Sequence, residues 1–292
     1  MSPGSSLKRF QYVVQRAGRN LLPDGAASLA RRLLGDIAGG ESHAPVVFAE
    51  HYVESLARAG RLLTGAEVLL FGQGPSFGFA CHLLAAGAEH VRLFDPYAPP
   101  DDRANAEWLE QFPEYLERGA AGIRPRPRWM TLLRGETPSE MGPAADVVIS
   151  SSVFEHLDDI DRWAGELARS TAPQGVNIHM IDLRDHFFHM PFEMLKYSPE
   201  TWGRWLNPRQ HLNRKRLWEY ESAFRNHFRE VAVEVLERDP ERFEVARSKI
   251  RPEFLTGDEK VDSVTEIEVT AALPMCSDET SEEVSEETRA TR

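Results

Sequence analysis

A glycine-containing turn at residues 71–78, with the sequence FGQGPSFG, is the first segment whose residue types could bind a ligand. It directly follows an apolar run typical of a strand and directly precedes a helical pattern. Gly72 permits a tight turn, and Gly74 lets the backbone approach a ligand because no Cβ stands in the way. The start of the following helix offers unpaired N–H groups and a positive dipole end, which favour an anionic or carboxylate-bearing ligand.

An acidic residue follows where the next apolar run ends. Asp95 lies about twenty residues after Gly72, and a carboxylate at that distance can accept hydrogen bonds from both ribose hydroxyls of a nucleotide. The glycine turn and this acid together predict a site for an adenosyl ligand. They leave both NAD and S-adenosylmethionine (SAM) open as that ligand.

The segment 146–157, with the sequence DVVISSSVFEHL, separates these two ligands. It resembles the fourth-strand motif of class I SAM-dependent methyltransferases, in which an acid and two hydrophobic residues are followed by Glu-His and a further hydrophobic residue. The resemblance covers residues 66–182 well and 228–273 loosely. It implies a Rossmann-like domain, SAM as the cofactor and methyl transfer as the reaction. The cofactor-binding residues predicted from the turn, the acid and the resemblance are Phe71, Gly72, Gln73, Gly74, Pro75, Ser76, Gly78, Asp95, Pro96, Glu136 and Ser151.

Two positions depart from the family pattern. Leu70 stands where the family often has an acid, and Ser76 stands where it often has a third glycine. The methionine end of SAM therefore lacks one expected polar partner, and its ammonium group must be recognised by other residues.

Alternating strand and helix patterns surround these motifs. Five short apolar runs predict strands at 68–71, 91–94, 129–133, 146–150 and 176–181. Helical patterns lie between them at 77–86, 102–119 and 159–169. This alternation predicts a parallel sheet with right-handed crossovers. Two later strand-like runs, 230–236 and 265–272, predict a terminal antiparallel pair. We therefore expect an α/β, Rossmann-like fold with a seven-stranded, mostly parallel sheet and helices on both faces.

The chain divides into three parts by composition and pattern. Residues 1–64 predict an N-terminal helical extension, with one helix over 46–63, and residues 65–274 predict the SAM-binding methyltransferase domain. Within that domain, residues 183–220 are rich in Trp, Phe, His and Arg, which indicates an inserted cap over the acceptor. Residues 275–292 predict a disordered acidic tail.

Three residues are the candidates for catalysis. His156 follows Glu155 in the family motif, and Asp182 lies at the carboxyl end of the fifth strand, where open α/β sheets place their ligands. His186 follows shortly after and could act as a base for a hydroxyl acceptor. The spacing of these residues matches no defined metal motif, so no metal site is predicted.

The net charge of −12 argues against a broad nucleic-acid-binding surface. The chain has only two cysteines and no uninterrupted apolar stretch of the length that crosses a bilayer, which together favour a cytoplasmic protein without stable membrane insertion. The expected function is SAM-dependent methyl transfer, at oxygen, to a small-molecule or glycan acceptor. An NAD-dependent oxidoreductase or epimerase, and a non-catalytic partner subunit with a methyltransferase-like fold, remain as alternatives, and the oligomeric state stays open.

Overall fold

The computed structural model describes residues 45–96, 98–133, 141–185, 190–207 and 212–275. The predictions for Glu136, His186, residues 1–44 and residues 276–292 lie outside these ranges. The strands within them are β1 (Glu67–Phe71), β2 (His90–Phe94), β3 (Leu116–Gly119), β4 (Gly122–Pro125), β5 (Met130–Leu133), β6 (Ala145–Ser151), β7 (Thr171–Asp182), β8 (Phe228–Arg238) and β9 (Val264–Pro274). The helices of eight or more residues are α1 (Pro45–Arg58), α2 (Gly78–Ala85), α3 (Asp102–Gln111), α4 (Ile160–Arg169), α5 (Leu217–Arg225) and α6 (Pro240–Arg247). Shorter helical segments are Phe154–His156, Glu193–Lys196, Pro199–Thr201, the π-helical Trp202–Leu206, Pro252–Phe254 and Glu259–Asp262.

The main sheet has the strand order β5-β2-β1-β6-β7-β9-β8 in the part of the chain described. The first five strands in this order pair in parallel. Strand β9 then pairs antiparallel with both β7 and β8. The predicted α/β sheet of seven mostly parallel strands with a terminal antiparallel pair is therefore confirmed.

Two hydrophobic layers cover the faces of this sheet because successive side chains of a strand point to opposite faces. On β1, Val68 and Leu70 join the layer that contains α1 and α2. Leu69 and Phe71 join the opposite layer, with α4 and α5. With apolar residues on both of its faces, β1 is a continuous apolar run, and this run is the pattern that identifies it in the sequence.

The segment 102–119 is not one helix as predicted. Helix α3 ends at Gln111, and residues 116–125 form the β3–β4 hairpin. Pro113 is the physical reason, since a proline disfavours helical backbone at the residue before it, and Phe112 has φ −129°. The predicted apolar face nevertheless packs in the core, where both Phe112 and Leu116 are buried.

The predicted helix over 46–63 is confirmed in most of its length as α1, which runs from Pro45 to Arg58. The chain turns immediately afterwards at Gly60, which has φ +67°. This helix was assigned to a separate extension, yet its buried residues belong to the same core as β1 and β2.

The cap after β7 contains more than the predicted segment 183–220. A third hydrophobic cluster joins that segment to α6 and the residues after it, and its largest members are Phe192, Trp202 and Phe243. The backbone N–H of Arg251 also donates to the carbonyl oxygen of Leu195, 3.1 Å away. The connection between β8 and β9 therefore supplies part of the cap, which the sequence pattern did not reveal.

The buried guanidinium group of Arg216 fastens the base of the cap to the sheet. It donates to the backbone carbonyl oxygens of Leu183, Asp262 and Val264. Burial lowers the pKa of this group to about 10. No helix in the described ranges combines the length and the apolar character that crossing a bilayer requires.

Candidate active site

The turn after β1 places two glycines in left-handed backbone conformations. Gly72 has φ +81°, and a Cβ on it would lie 2.2 Å from the Cγ2 atom of Val153. Gly74 has φ +65°, and no atom lies within 4 Å of the position its Cβ would occupy. Gly72 therefore permits close packing between the turn and the segment after β6, while Gly74 faces open space that a ligand can enter.

The carboxylate of Asp95 is held against this turn. Its Oδ2 atom accepts a hydrogen bond from the backbone N–H of Gly74 at 2.9 Å, and its Oδ1 atom accepts one from Ala98 at 2.9 Å. An ionised carboxylate has acceptor capacity for about four hydrogen bonds, so both oxygens can accept further bonds from a ligand. The acid and the glycine turn thus form one fixed unit.

A cavity of about 910 Å³ opens in front of this unit. Its volume lies near the top of the range of roughly 300–1,000 Å³ for small-molecule sites. Nine predicted residues line it, namely Phe71, Gly72, Gln73, Gly74, Ser76, Asp95, Pro96, Ser151 and His156. The structure therefore brings most of the predicted site to a single cavity.

Two of the predicted cofactor residues lie beside the cavity rather than in its wall. The carbonyl oxygen of Pro75 accepts a hydrogen bond from the Nδ2 atom of Asn105 at 2.8 Å. A Cβ on Gly78 would lie 2.5 Å from the Trp108 ring. Both residues pack the start of α2 against α3, and Gly78 is required there because it permits this close contact.

Aromatic and charged residues that sequence reasoning missed form the rest of the wall. Pro45 and Phe48 reach it from α1, and Phe79 reaches it from α2. The other missed lining residues are Ala98, Ser152, Val153, Leu157, Asp158, Asp159, Arg162 and Trp163. The sequence predicted helix α1 as part of a separate extension, and no sequence feature placed its first turn in the site.

One buried polar atom in the cavity wall, the Oε1 atom of Gln73, lacks a hydrogen-bond partner within the described part of the chain. The buried hydroxyl of Ser151 lies in the same wall. Gln73 follows the end of β1, and Ser151 is the last residue of β6, the parallel strand that pairs with β1. Buried polar groups are almost always satisfied in native proteins, so unpaired atoms in a cavity wall indicate a bound polar ligand.

These features fit SAM. The open face of Gly74 and the carboxylate of Asp95 match an adenosyl ribose. The acceptors Gln73 Oε1 and Ser151 Oγ match an ammonium group, which donates up to three hydrogen bonds. Leu70, the position of the missing family acid, is only 1% exposed in the core. It could not contact a ligand in this cavity.

The turn after β6 forms the wall that carries His156. Ser152, at the start of this turn, has φ +54°, which is rare for a residue with a side chain. Glu155 is 1% exposed, and burial raises the pKa of its carboxyl group well above the usual value.

Asp182 is not brought into the cavity wall. Its carboxylate accepts hydrogen bonds from the side chain of Arg184 at 2.9 and 3.0 Å and from the Arg184 backbone N–H at 2.8 Å. Three hydrogen bonds from one neighbouring residue therefore occupy both oxygens of the Asp182 carboxylate. Its predicted role in catalysis stays a prediction, as does that of His186, which lies outside the described residues.

His179 on β7 is a core residue. Its Nδ1 atom lies 2.8 Å from the Ser150 Oγ atom, and its ring packs against Phe154 and Phe224. Burial lowers its pKa to about 3, so the imidazole is neutral at physiological pH. Its hydrogen bond to Ser150 links the side chains of β6 and β7 within the core.

A family model described as a methyltransferase domain matches residues 47–229, which is more than half of the chain. The chain belongs to this methyltransferase family. The matched region begins in α1 and ends at the start of β8, and it contains all the residues that line the cavity except Pro45. The cofactor of this methyltransferase is SAM, and the NAD alternative that the glycine turn had left open is thereby set aside.

Solved structures of methyltransferases resemble this one. A magnesium protoporphyrin IX methyltransferase from Synechocystis is 15% identical with a TM-score of 0.47, over 88% of this chain and 98% of that one. A Burkholderia thailandensis 1,6-didemethyltoxoflavin N1-methyltransferase is 14% identical with a TM-score of 0.45, over 93% and 90% of the two chains. A SAM-dependent methyltransferase from Mesorhizobium loti is 16% identical with a TM-score of 0.42, over 80% and 99%. No curated protein sequence matches the chain.

Proposed function

We propose that this methyltransferase transfers the methyl group of SAM to a small-molecule acceptor, with an oxygen atom of the acceptor as the site of methylation. The observation that carries the proposal is the continuity of one cavity from the glycine turn and Asp95 to His156. The proposed cofactor residues and the imidazole of His156 thereby line the same cavity.

Each side chain has a specific part in holding the cofactor. Asp95 accepts hydrogen bonds from the ribose hydroxyls, and Gly74 leaves room for the sugar. Gln73 and Ser151 accept hydrogen bonds from the ammonium group of the methionine end, which supplies the partner that Leu70 does not. Pro96 and Trp163 offer apolar contact to the remainder of the ligand.

SAM supplies an electrophilic methyl group on a positively charged sulfur. The residues of the cavity act chiefly by aligning the acceptor oxygen with that methyl group, since alignment supplies much of the rate of such displacements. His156 accepts the proton that the hydroxyl group loses as its oxygen bonds to the methyl carbon. The positive charge of the sulfonium is lost in the same step, and the products are S-adenosylhomocysteine (SAH), the methyl ether and a protonated imidazole.

The acceptor class follows from the size and lining of the cavity. The wall combines the aromatic rings of Phe48, Phe79 and Trp163 with the charged groups of Asp158, Asp159 and Arg162. Such a wall suits a compact molecule with a ring and polar substituents, including a sugar. A glycan end fits the same description as a free small molecule, and we keep both within the proposal.

The test begins with binding and continues to turnover. Titration calorimetry of the purified protein should show binding of SAM and SAH and none of NAD. The protein is then incubated with methyl-labelled SAM and three acceptor panels, namely hydroxyl-bearing rings and sugars, primary amines, and carboxylates. We expect label in the hydroxyl panel, and Asp95→Ala serves as the matched control because it leaves the acceptor wall intact.

The variant His156→Gln separates proton abstraction from cofactor binding within that assay. General base catalysis contributes about 100-fold or more, so transfer to a hydroxyl should fall by that order while SAH affinity stays within about twofold. Label found only in the amine panel would overturn oxygen as the methylated atom. Binding of SAH with no transfer in any panel would instead favour the non-catalytic partner subunit.

A further inference from the structure

One cap residue, Asn213, is hydrogen-bonded to the turn that carries His156. Its side-chain Nδ2 atom donates to the backbone carbonyl oxygens of Phe154 and Leu157, both at 2.8 Å. Its own backbone N–H donates to the carbonyl oxygen of Glu155 at 2.7 Å. A single residue therefore satisfies three carbonyl groups within four consecutive residues, 154–157, of the turn that carries His156.

The orientation of the Asn213 amide is fixed from its other side. Its Oδ1 atom accepts hydrogen bonds from the hydroxyl of Tyr220 and from the backbone N–H of Lys215, both at 3.0 Å. The backbone N–H of Lys215 can only donate, and the carbonyls of Phe154 and Leu157 can only accept, so reversing the amide would lose these three bonds. Tyr220 is completely buried, which makes this anchor rigid.

The turn held by Asn213 is one that would not persist unaided. It begins with the left-handed backbone of Ser152, at φ +54°. It also buries the carboxyl group of Glu155, which is 1% exposed. Strained backbone and buried ionisable groups each cost free energy, and they persist where the surrounding structure over-determines them.

We propose that Asn213 is a positioning residue for methyl transfer, which fixes the turn 152–157 and with it the place of His156 in the cavity. The inference rests on the proposed function, because the role of His156 gives the turn its importance. It also makes the cap a part of the catalytic geometry, since Asn213 belongs to the segment that leads from the cap into α5. Neither the charge nor the spacing of residues in the sequence marks Asn213 for this role.

Two local measurements on the full chain test the proposal without any acceptor. In Asn213→Ala, amide hydrogen exchange in residues 153–159 should accelerate by about tenfold, while exchange in β1 and α2 stays unchanged. The imidazole NMR signal of His156, assigned with His156→Gln, should shift or broaden. The signals of His51 and His82, which lie on α1 and α2, should keep their positions and provide an internal reference.

Two further variants test whether the effect on the turn depends on the hydrogen bonds of Asn213. Tyr220→Phe removes one of the two donors to Oδ1 but keeps the Asn213 side chain, so it should change the same observables in the same direction by less. Lys215→Ala loses only an ion pair with Glu219 on a half-exposed side chain, and it should change neither. If Asn213→Ala does not fold, Tyr220→Phe decides the question.

The inference is overturned by an unchanged His156 signal and unchanged exchange at 153–159 in the Asn213 variant. It is equally overturned by exchange that accelerates as much in β1 and α2 as in the turn, because a general loss of stability would then explain the result. These measurements need neither SAM nor an acceptor. A failure of the wild-type protein to bind SAH or to transfer methyl groups would therefore count against the proposed function. It would not count against the role of Asn213 in holding the turn 152–157.

Discussion

The hydroxyl of Tyr52 donates a 2.6 Å hydrogen bond to the backbone carbonyl oxygen of Ser150. Tyr52 lies on α1 and Ser150 near the carboxyl end of β6, next to Ser151 in the cavity wall. This contact attaches the helix that carries Pro45 and Phe48 to the strand that carries the opposite wall. Helix α1 is thus a fixed part of the site.

Removing this hydroxyl should therefore affect both stability and binding. We expect Tyr52→Phe to lower the free energy of unfolding by about 1–2 kcal/mol, because the Ser150 carbonyl loses a buried partner. SAH affinity should fall several-fold as α1 loosens. The control is Val53→Ala on the exposed side of the same helix, which should change neither quantity. Thermal melts and titration calorimetry provide the measurements, and SAH affinity unchanged in a destabilised Tyr52→Phe would contradict the role of α1 in the site.

A second anchor of α1 predicts a pH dependence of stability. The Nε2 atom of His51 lies 2.6 Å from the carboxylate of Glu268, which is buried, and this hydrogen bond raises the pKa of His51 above 6.5. Burial acts to raise the pKa of Glu268, but hydrogen bonds from His51 and Ser55 outweigh it, so the net pKa is lowered. The two groups are therefore both charged between the lowered value of Glu268 and the raised value of His51.

The sign of the effect follows from these directions. A raised His51 pKa contributes stability that is fully present below about pH 6.5 and is lost as the pH rises through the folded-state value. The difference in melting temperature between wild type and His51→Gln should accordingly be larger at pH 6 than at pH 9. A difference that is constant across this range would show that the ion pair makes no pH-dependent contribution. On the acid side, the Glu268 contribution should fade below its usual pKa of about 4.5.

Gly74 can be tested against a matched glycine elsewhere in the chain. Gly74 and Gly60 have φ values of +65° and +67°, and neither has an atom within 4 Å of a Cβ position. Substitution by Ala should therefore cost about 1–2 kcal/mol of backbone strain at both positions. Only Gly74→Ala should weaken SAH binding, by more than about tenfold, because only this methyl group would enter the cavity. Equal SAH affinities for the two variants would refute the placement of the ligand at this turn.

The polar side chains of Gln73 and Ser151 in the cavity wall predict a difference between two ligands. SAH carries the amino-acid end, while methylthioadenosine lacks it and keeps the adenosyl group. Gln73→Ala and Ser151→Ala should each weaken SAH binding by about tenfold, which corresponds to one hydrogen bond to a charged group. Their affinity for methylthioadenosine should stay close to that of wild type. Equal losses for both ligands in calorimetry would mean that these residues shape the cavity without recognising the ammonium group.

The parts of this site that could be predicted from the sequence are the local ones. The glycine turn, Asp95 and the alternation of strands with helices depend on residues close in the chain, where strand and helix periods are directly visible. His156 and Ser151 were located because the motif that contains them continues a strand that could be recognised.

The remaining parts arise from contacts between distant segments. Asn213 binds the turn at residues 154–157, and the second segment of the cap comes from the connection between β8 and β9, so neither leaves a pattern along the chain. The Asp182 prediction shows a different limit. Its position at the strand end was correctly inferred. Its carboxylate, however, pairs with the guanidinium group of Arg184, which lies two residues further along the chain. The sequence does not show which of several nearby charged groups an acid will pair with. The burial of Glu155 was not predicted because the sequence around a glutamate does not show whether its side chain is buried.

The cap possesses a hydrophobic interior of its own, separate from the two layers on the sheet. Its two contributing segments meet each other through Phe192, Trp202 and Phe243 and meet the sheet through backbone carbonyls that Arg216 and Asn213 bind. Backbone carbonyls are present whatever the side chains are. Exchange of both segments for those of another family member, with these two residues retained, should therefore change the interior of the cap while preserving its attachment to the rest of the domain.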